Sequence, residues 1–276
     1  MVHVVLRRPR LPELMPWVNA LWWCRGATLA ETVLPVGLAH LVLRLDGGGE
    51  EAVLHGPASR PRLVGPMSHG SALGVVFRHG GLRPFFGAPA DMLADLSVPM
   101  AELWSAEDIR LAVQLTDGLG LAVAPVRVAV LFDRVERALV SRADNTRAGP
   151  TRLIGEVQRG LRQGHSVATV AARLSADRRT LAALFRREVG FGLKRYARLA
   201  RFEQALRAVR AGDAPSLGLI AAQCAFADQS HLTREFRHFA GIAPGRLHRV
   251  PGPTPWHVVL DETFKTSGPG SSTLPA

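Results

Sequence analysis

Between residues 31 and 77 the apolar positions come in short runs broken by turn formers. Glu31–Leu34, Leu38–Leu45, Val53–His55, Arg62–Val64 and Leu73–Phe77 are such runs, and the second ends in Asp46-Gly47-Gly48-Gly49. Many short strands at close spacing predict a small barrel or sandwich. Beyond Met100 the period becomes helical. Ala106–Thr116 sets Ile109, Val113 and Thr116 on one face. Val126–Val140 carries Val128, Leu131, Phe132, Val135, Ala138 and Leu139 at i, i+3, i+4 spacing, a stripe suited either to a dimer interface or to burial on its own barrel. The polar stretch Ser141–Pro150 follows, then helices with short turns from Arg152 to Val250. Pro251–Ala276 is rich in Gly, Pro, Ser and Thr and is expected to be a flexible tail.

The expected fold class is therefore α+β. A small β-rich, barrel-like N-terminal domain with flanking helices (1–145) is followed by a linker (146–150). An all-α domain (151–250) and the tail (251–276) complete the chain.

The helical block contains an internal repeat. Asp177, Leu181, Phe185, Arg186 and Gly190 have the spacing D-x3-L-x3-F-R-x3-G, and Asp228, Leu232, Phe236, Arg237 and Gly241 repeat it 51 residues later. The Asp caps a helix N-terminus. The Leu and Phe fall on one inner face, and the Gly suits the left-handed residue that ends a helix. Each copy thus specifies a helix of about three turns. A shorter one precedes each: Ser166 can cap Val167–Arg173, and Ser216 can cap Leu217–Cys224. Short helix, tight turn and longer helix make a helix-turn-helix unit, present twice. Between the copies Leu193–Ala211 reads as one long helix, about 28 Å at 1.5 Å per residue. That is near the ~34 Å of one duplex turn, so two recognition helices can enter successive major grooves on one face of DNA.

Charge sharpens this pattern. The 276 residues carry 34 Lys and Arg against 23 acids, a formal +11, and all but Lys194 and Lys265 of the cations are arginines. Part of that bias is what a GC-rich coding sequence produces, so the total alone says little. Its distribution says more. Residues 1–150 have a net charge of +1, residues 151–250 of +11, and the tail of −1. The whole surplus lies on the block with the repeat, which points to a polyanionic partner.

Residues Leu153–Arg249 resemble the AraC/XylS-type DNA-binding domain. The second motif, IAAQCAFADQSHLTREFRHFAGIAP over Ile220–Pro244, is similar to the family signature. RTLAALFRREVG (Arg179–Gly190) and KRYARLARF (Lys194–Phe202) resemble the first unit. Ala225 departs from the usual Gly of a Gly-Phe pair, and Leu247 and His248 depart from an aromatic and an Arg after Pro244. In the N-terminal half LPVG (Leu34–Gly37), FRHGGLRPFFG (Phe77–Gly87) and VPMAELW (Val98–Trp104) resemble a cupin-like, small-molecule-sensing domain, with His79 where Pro is usual.

The resemblance implies a sequence-specific, DNA-binding transcriptional regulator, whether activator or repressor, in a bacterial cytoplasm, with double-stranded DNA as partner. A small-molecule effector of unknown binding residues, a second copy of the chain and RNA polymerase are compatible further partners. On the first recognition helix Arg178, Arg179, Ala182, Ala183, Arg186 and Arg187 lie off the core face. Base reading falls to Arg179 and the Ala182/Ala183 surface, since Arg bonds guanine O6 and N7 and a methyl meets a thymine methyl. On the second helix Gln229, Ser230, His231, Thr233 and Arg234 face outward, with Gln229 and Arg234 favoured for bases. Arg186, Arg187, Lys194 and Arg237 suit phosphates.

Catalytic chemistry is not expected. No G-x-S-x-G turn, phosphate-binding Gly loop or H-E-x-x-H helix occurs. His40, His55, His69 and His79 lack the clustering of a metal-bearing cupin, so no metal or cofactor is expected. No apolar run approaches the ~20 residues that cross a bilayer, and Met1–Pro12 lacks the apolar core of a signal peptide. Cys24 and Cys224 read as buried, reduced thiols. The competing reading is a cupin-like binding protein or enzyme with a helical assembly module.

Overall fold

The structure, a computed structural model, describes residues 3–25, 31–35, 37–44, 52–64, 71–104, 125–211 and 216–247. The expected helix at Ala106–Thr116 and the expected tail lie outside the described residues.

Among the described residues the N-terminal half has eight strands: β1 (His3–Arg7), β2 (Val18–Arg25), β3 (Glu31–Val33), β4 (His40–Arg44), β5 (Ala52–His55), β6 (Arg62–Val64), β7 (Ser71–Phe77) and β8 (Ser97–Pro99). Six make an antiparallel sheet in the order β1-β2-β7-β4-β5-β8, and β3 pairs with β6 in a separate ribbon. No strand pairing among the described residues closes the sheet into a barrel. The central strands β2 and β7 are buried almost throughout. A strand covered on both faces needs no alternation, which is why LWWC in β2 reads as a plain apolar run. Trp22 stands opposite Gly74 and lies across it; a Cβ there would come within 2.0 Å of the indole.

Short helices α1 (Arg83–Phe86) and α2 (Ala90–Leu93) precede the longer α3 (Pro125–Arg142). The α3 residues Val128, Leu131, Phe132, Val135 and Leu139 join Leu21, Trp23, Leu41, Leu73, Val75 and Phe77 in one core. The apolar stripe of α3 is thus committed to the chain's own sheet. Buried Glu136 on α3 accepts bonds from the Arg7 guanidinium and from the backbone N–H groups of Arg10 and Leu11. A buried carboxylate is tolerable only when so paired.

The C-terminal half is helical: α4 (Thr151–Arg162), α5 (Val167–Arg173), α6 (Arg178–Val189), α7 (Leu193–Ala211), α8 (Leu217–Gln223), α9 (Gln229–Ala240) and α10 (Pro244–Leu247). Helix α7 serves two cores from different faces. Leu193, Tyr196 and Ala200 pack with Val170, Leu181 and Phe185 of the first unit. Leu199, Phe202, Leu206 and Val209 pack with Ile220, Leu232, Phe236 and Phe239 of the second.

Three histidines are held neutral. Burial, then the Arg62 guanidinium, pushes His40 down to about 4 and His55 to about 3. Burial, then Arg162, does the same to His79, to about 3. The unfolded chain takes up these protons near pH 6.5, whereas the folded chain does so only at about pH 4 and below. Unfolding therefore binds protons, and this contribution to stability is lost as pH falls from 6.5 through about 4. The urea midpoint is expected to be lower at about pH 5 than at about pH 7.5; an unchanged midpoint would contradict it.

Candidate nucleic-acid interface

Local sequence builds both recognition helices in the same way. Asp177 accepts the Thr180 N–H at 2.8 Å, and Asp228 accepts the His231 N–H at 2.6 Å. Ser166 and Ser216 cap the preceding helices, on Thr169 N–H at 3.0 Å and Leu219 N–H at 3.2 Å. Gly190 and Gly241 end α6 and α9 at φ 91° and 73°, the left-handed geometry that glycine adopts without penalty.

Within the first unit Arg178, Arg179, Ala182, Arg186 and Lys194 line one groove of about 950 Å³ between α5, α6 and the start of α7. Arg195, not singled out from the sequence, lines it too. Its signal was present, as the neighbour of Lys194 opening a helix. The side chains of Arg178, Arg179, Arg186 and Lys194 are exposed and form no ion pair among the described residues. Unneutralised cations on one wall suit a phosphate backbone. Ala183 is exposed, but Ala182 is half-buried at the edge of the first core. Arg187 does not line the groove; its Nε donates to Glu188 Oε1 at 3.0 Å.

In the second unit Gln229, Ser230, Arg234 and Arg237 are exposed. Two neighbours are partly committed. His231 Nδ1 accepts the Ala227 N–H at 3.3 Å, and its ring stands edge-on to Phe226 at 5.3 Å. Thr233 Oγ1 donates to the Gln229 carbonyl at 2.9 Å. Sequence spacing places both outward, whereas each side chain also ties its own turn. Helix α9 is fixed to α7 by a two-pronged pair: Arg198 Nε and Nη2 meet Glu235 Oε2 and Oε1 at 3.0 and 2.7 Å. Burial alone would raise the Glu235 carboxyl, but the Arg198 bonds outweigh it and hold it low.

The match to known families decides what this scaffold is. Residues 155–249 match a family model described as a helix-turn-helix domain. This segment is an AraC-type helix-turn-helix DNA-binding domain. The chain is accordingly a DNA-binding transcriptional regulator. Residues 8–99 match a domain of unknown function, DUF6597. No curated protein matches the chain. Among solved structures it is similar to Vibrio cholerae ToxT, at 12% identity and a TM-score of 0.42 over 92% of this chain and 98% of that one. A wild-type ToxT structure titled as bound to an unsaturated fatty acid aligns at 12% identity and 0.39, over 90% and 94%.

The AraC-type turn survives its departure from the signature. Ala225 sits at φ 56° and Ser175, its counterpart after α5, at φ 48°. Both follow a short helix in the left-handed region, where a Cβ costs about 1 kcal/mol or more. Ala225→Gly is expected to stabilise the domain by about 0.5–1 kcal/mol after the entropy cost of glycine. Urea unfolding checks this; a loss of stability would show that the turn does not need that geometry. No helix among the described residues is long and apolar enough to cross a membrane. Among them, no group of three or more His, Cys, Asp or Glu is placed to hold a metal.

Proposed function

We propose that the regulator reads a two-part DNA site, with α6 in one major groove and α9 in the next. Arg179, Gln229 and Arg234 contact bases, assisted by Ala182, Ala183, Ser230, His231 and Thr233. Arg178, Arg186, Arg187, Lys194 and Arg237 hold phosphates. The observation that carries this reading is the pair of equally capped helices with uncommitted outward arginines at the two sides of one 19-residue helix. Residues 1–145 act as the sensing domain, joined through 146–150 to the reading domain at 151–250. A small-molecule effector or self-association in the sensing half alters presentation of the recognition helices, which requires different effector affinity for two states. The protein works without catalysis in the cytoplasm, with RNA polymerase as a further partner.

Titration against a random DNA pool at two salt concentrations tests the proposal. Enrichment of a defined sequence with steep salt dependence is expected. Equal binding to all sequences would mean that the arginines serve only as a basic surface.

A further inference from the structure

At one pair of equivalent buried positions the duplicated recognition helices exchange an apolar ring for a carboxylate, and that difference touches the N-terminal half. With the 51-residue offset, Glu188 of α6 corresponds to Phe239 of α9. Phe239 is a fully buried core residue. The Glu188 side chain is equally buried, at 0% exposure, yet it is a carboxylate. Its cations come from two directions. Arg83 of α1 reaches Glu188 Oε1 at 3.0 Å, and Arg187, next in its own helix, reaches the same oxygen at 3.0 Å. The Glu188 Oε2 atom has no hydrogen-bond partner.

Around this carboxylate the N-terminal half is seated on the end of α6. The Gly80 N–H donates to the Glu188 carbonyl at 3.0 Å, and Gly190 lies against Pro57 and the Ala90 carbonyl. The contact is therefore a packed seam and not a lone ion pair. Helix α9 keeps its own carboxylate, Glu235, for Arg198 inside the C-terminal half.

A buried carboxylate must keep a cation, because leaving it unpaired costs more than the pair itself stabilises. Arg83 is 27% exposed and Arg187 is 50% exposed, so Arg187 is the one of the two better placed to leave for solvent or DNA. It can do so without stranding Glu188 only while Arg83 stays. We propose that Glu188 is a positioning residue that links the seating of the Arg83 turn to the availability of Arg187 for a DNA phosphate. With Arg83 in place, Arg187 is released to the phosphate. With Arg83 withdrawn, Glu188 retains Arg187 and the first recognition helix loses one backbone contact. The linkage is reciprocal: DNA that draws off Arg187 tightens the Arg83–Glu188 pair. The second unit meets the N-terminal half through the apolar side chains of Leu34 and Ala94, so the ionic link through Glu188 belongs to the first unit. This inference rests on the phosphate role of Arg187 proposed above.

The test is the slope of log affinity against log salt for the full chain on a duplex recovered by selection from a random pool. Arg187→Ala is expected to lower the slope by about 0.9, making the affinity gained between 200 and 50 mM salt about threefold smaller. Arg83→Ala should reproduce that loss although Arg83 does not line the groove. Arg83→Lys, which keeps the cation, should stay near the wild-type slope. The double variant Arg83→Ala/Glu188→Gln should recover it, because no buried charge then holds Arg187; a purely structural role for Arg83 predicts no such rescue. If Arg187→Ala lowers the slope and Arg83→Ala does not, or the double variant stays as low as Arg83→Ala, the linkage is wrong. If Arg187→Ala itself keeps the wild-type slope, the phosphate role fails first and the linkage falls with it.

Discussion

Phe236→Ala is expected to destabilise the second helix-turn-helix unit by about 3–5 kcal/mol and to abolish reading of one half-site. Phe236 is completely buried and stands edge-on to Phe202 of α7 at 5.0 Å, with Leu232 and Phe239 in the same cluster. Removing the ring takes away its burial and leaves a cavity that a helix pinned by Arg198 collapses poorly. Total domain stability is about 5–15 kcal/mol, so a loss of this size brings the unit close to unfolding. Phe185 holds the equivalent place in the other core, edge-on to Tyr196 at 5.3 Å. Because the two cores are distinct clusters, Phe185→Ala should impair the opposite half-site. Urea unfolding with footprinting of each half-site checks both; a cost below about 1 kcal/mol would contradict the packing.

The other large effect concerns recognition. Arg179→Ala and Arg234→Ala are each expected to weaken specific binding by about 1–3 kcal/mol, and each should relax preference at its own base pair. The two residues lie on different helices in different units, so the double variant should show nearly the sum of the single losses. Competition binding against duplexes changed one base pair at a time reads the outcome. Uniform weakening on every sequence would assign both side chains to phosphates.

Much of the reading domain is legible from spacing because its devices are local. A capping Asp, an inner Leu and Phe, and a terminal Gly recur in the 51-residue repeat, and each acts within one helix. The N-terminal sheet is less so. Strands β1, β2 and β8 went unpredicted: β2 is buried on both faces, and β1 and β8 are edges whose pairing depends on distant partners. The apolar stripe of α3 is visible in sequence, but only packing distinguishes a dimer surface from burial on the chain's own sheet. The dual commitments of His231 and Thr233 follow from turn geometry that a helical wheel omits. Glu188 resembles any surface acid in the sequence; its burial and its bond to Arg83, 105 residues away, exist only in three dimensions.

One bound chain is expected to read two half-sites, through α6 and α9. Footprinting a selected duplex at one bound chain per duplex tests it directly. Two protected patches are expected on one face of the DNA, about one helical turn apart, matching the ~28 Å of α7. A single protected patch, or a second that appears only when two chains are bound, would contradict it.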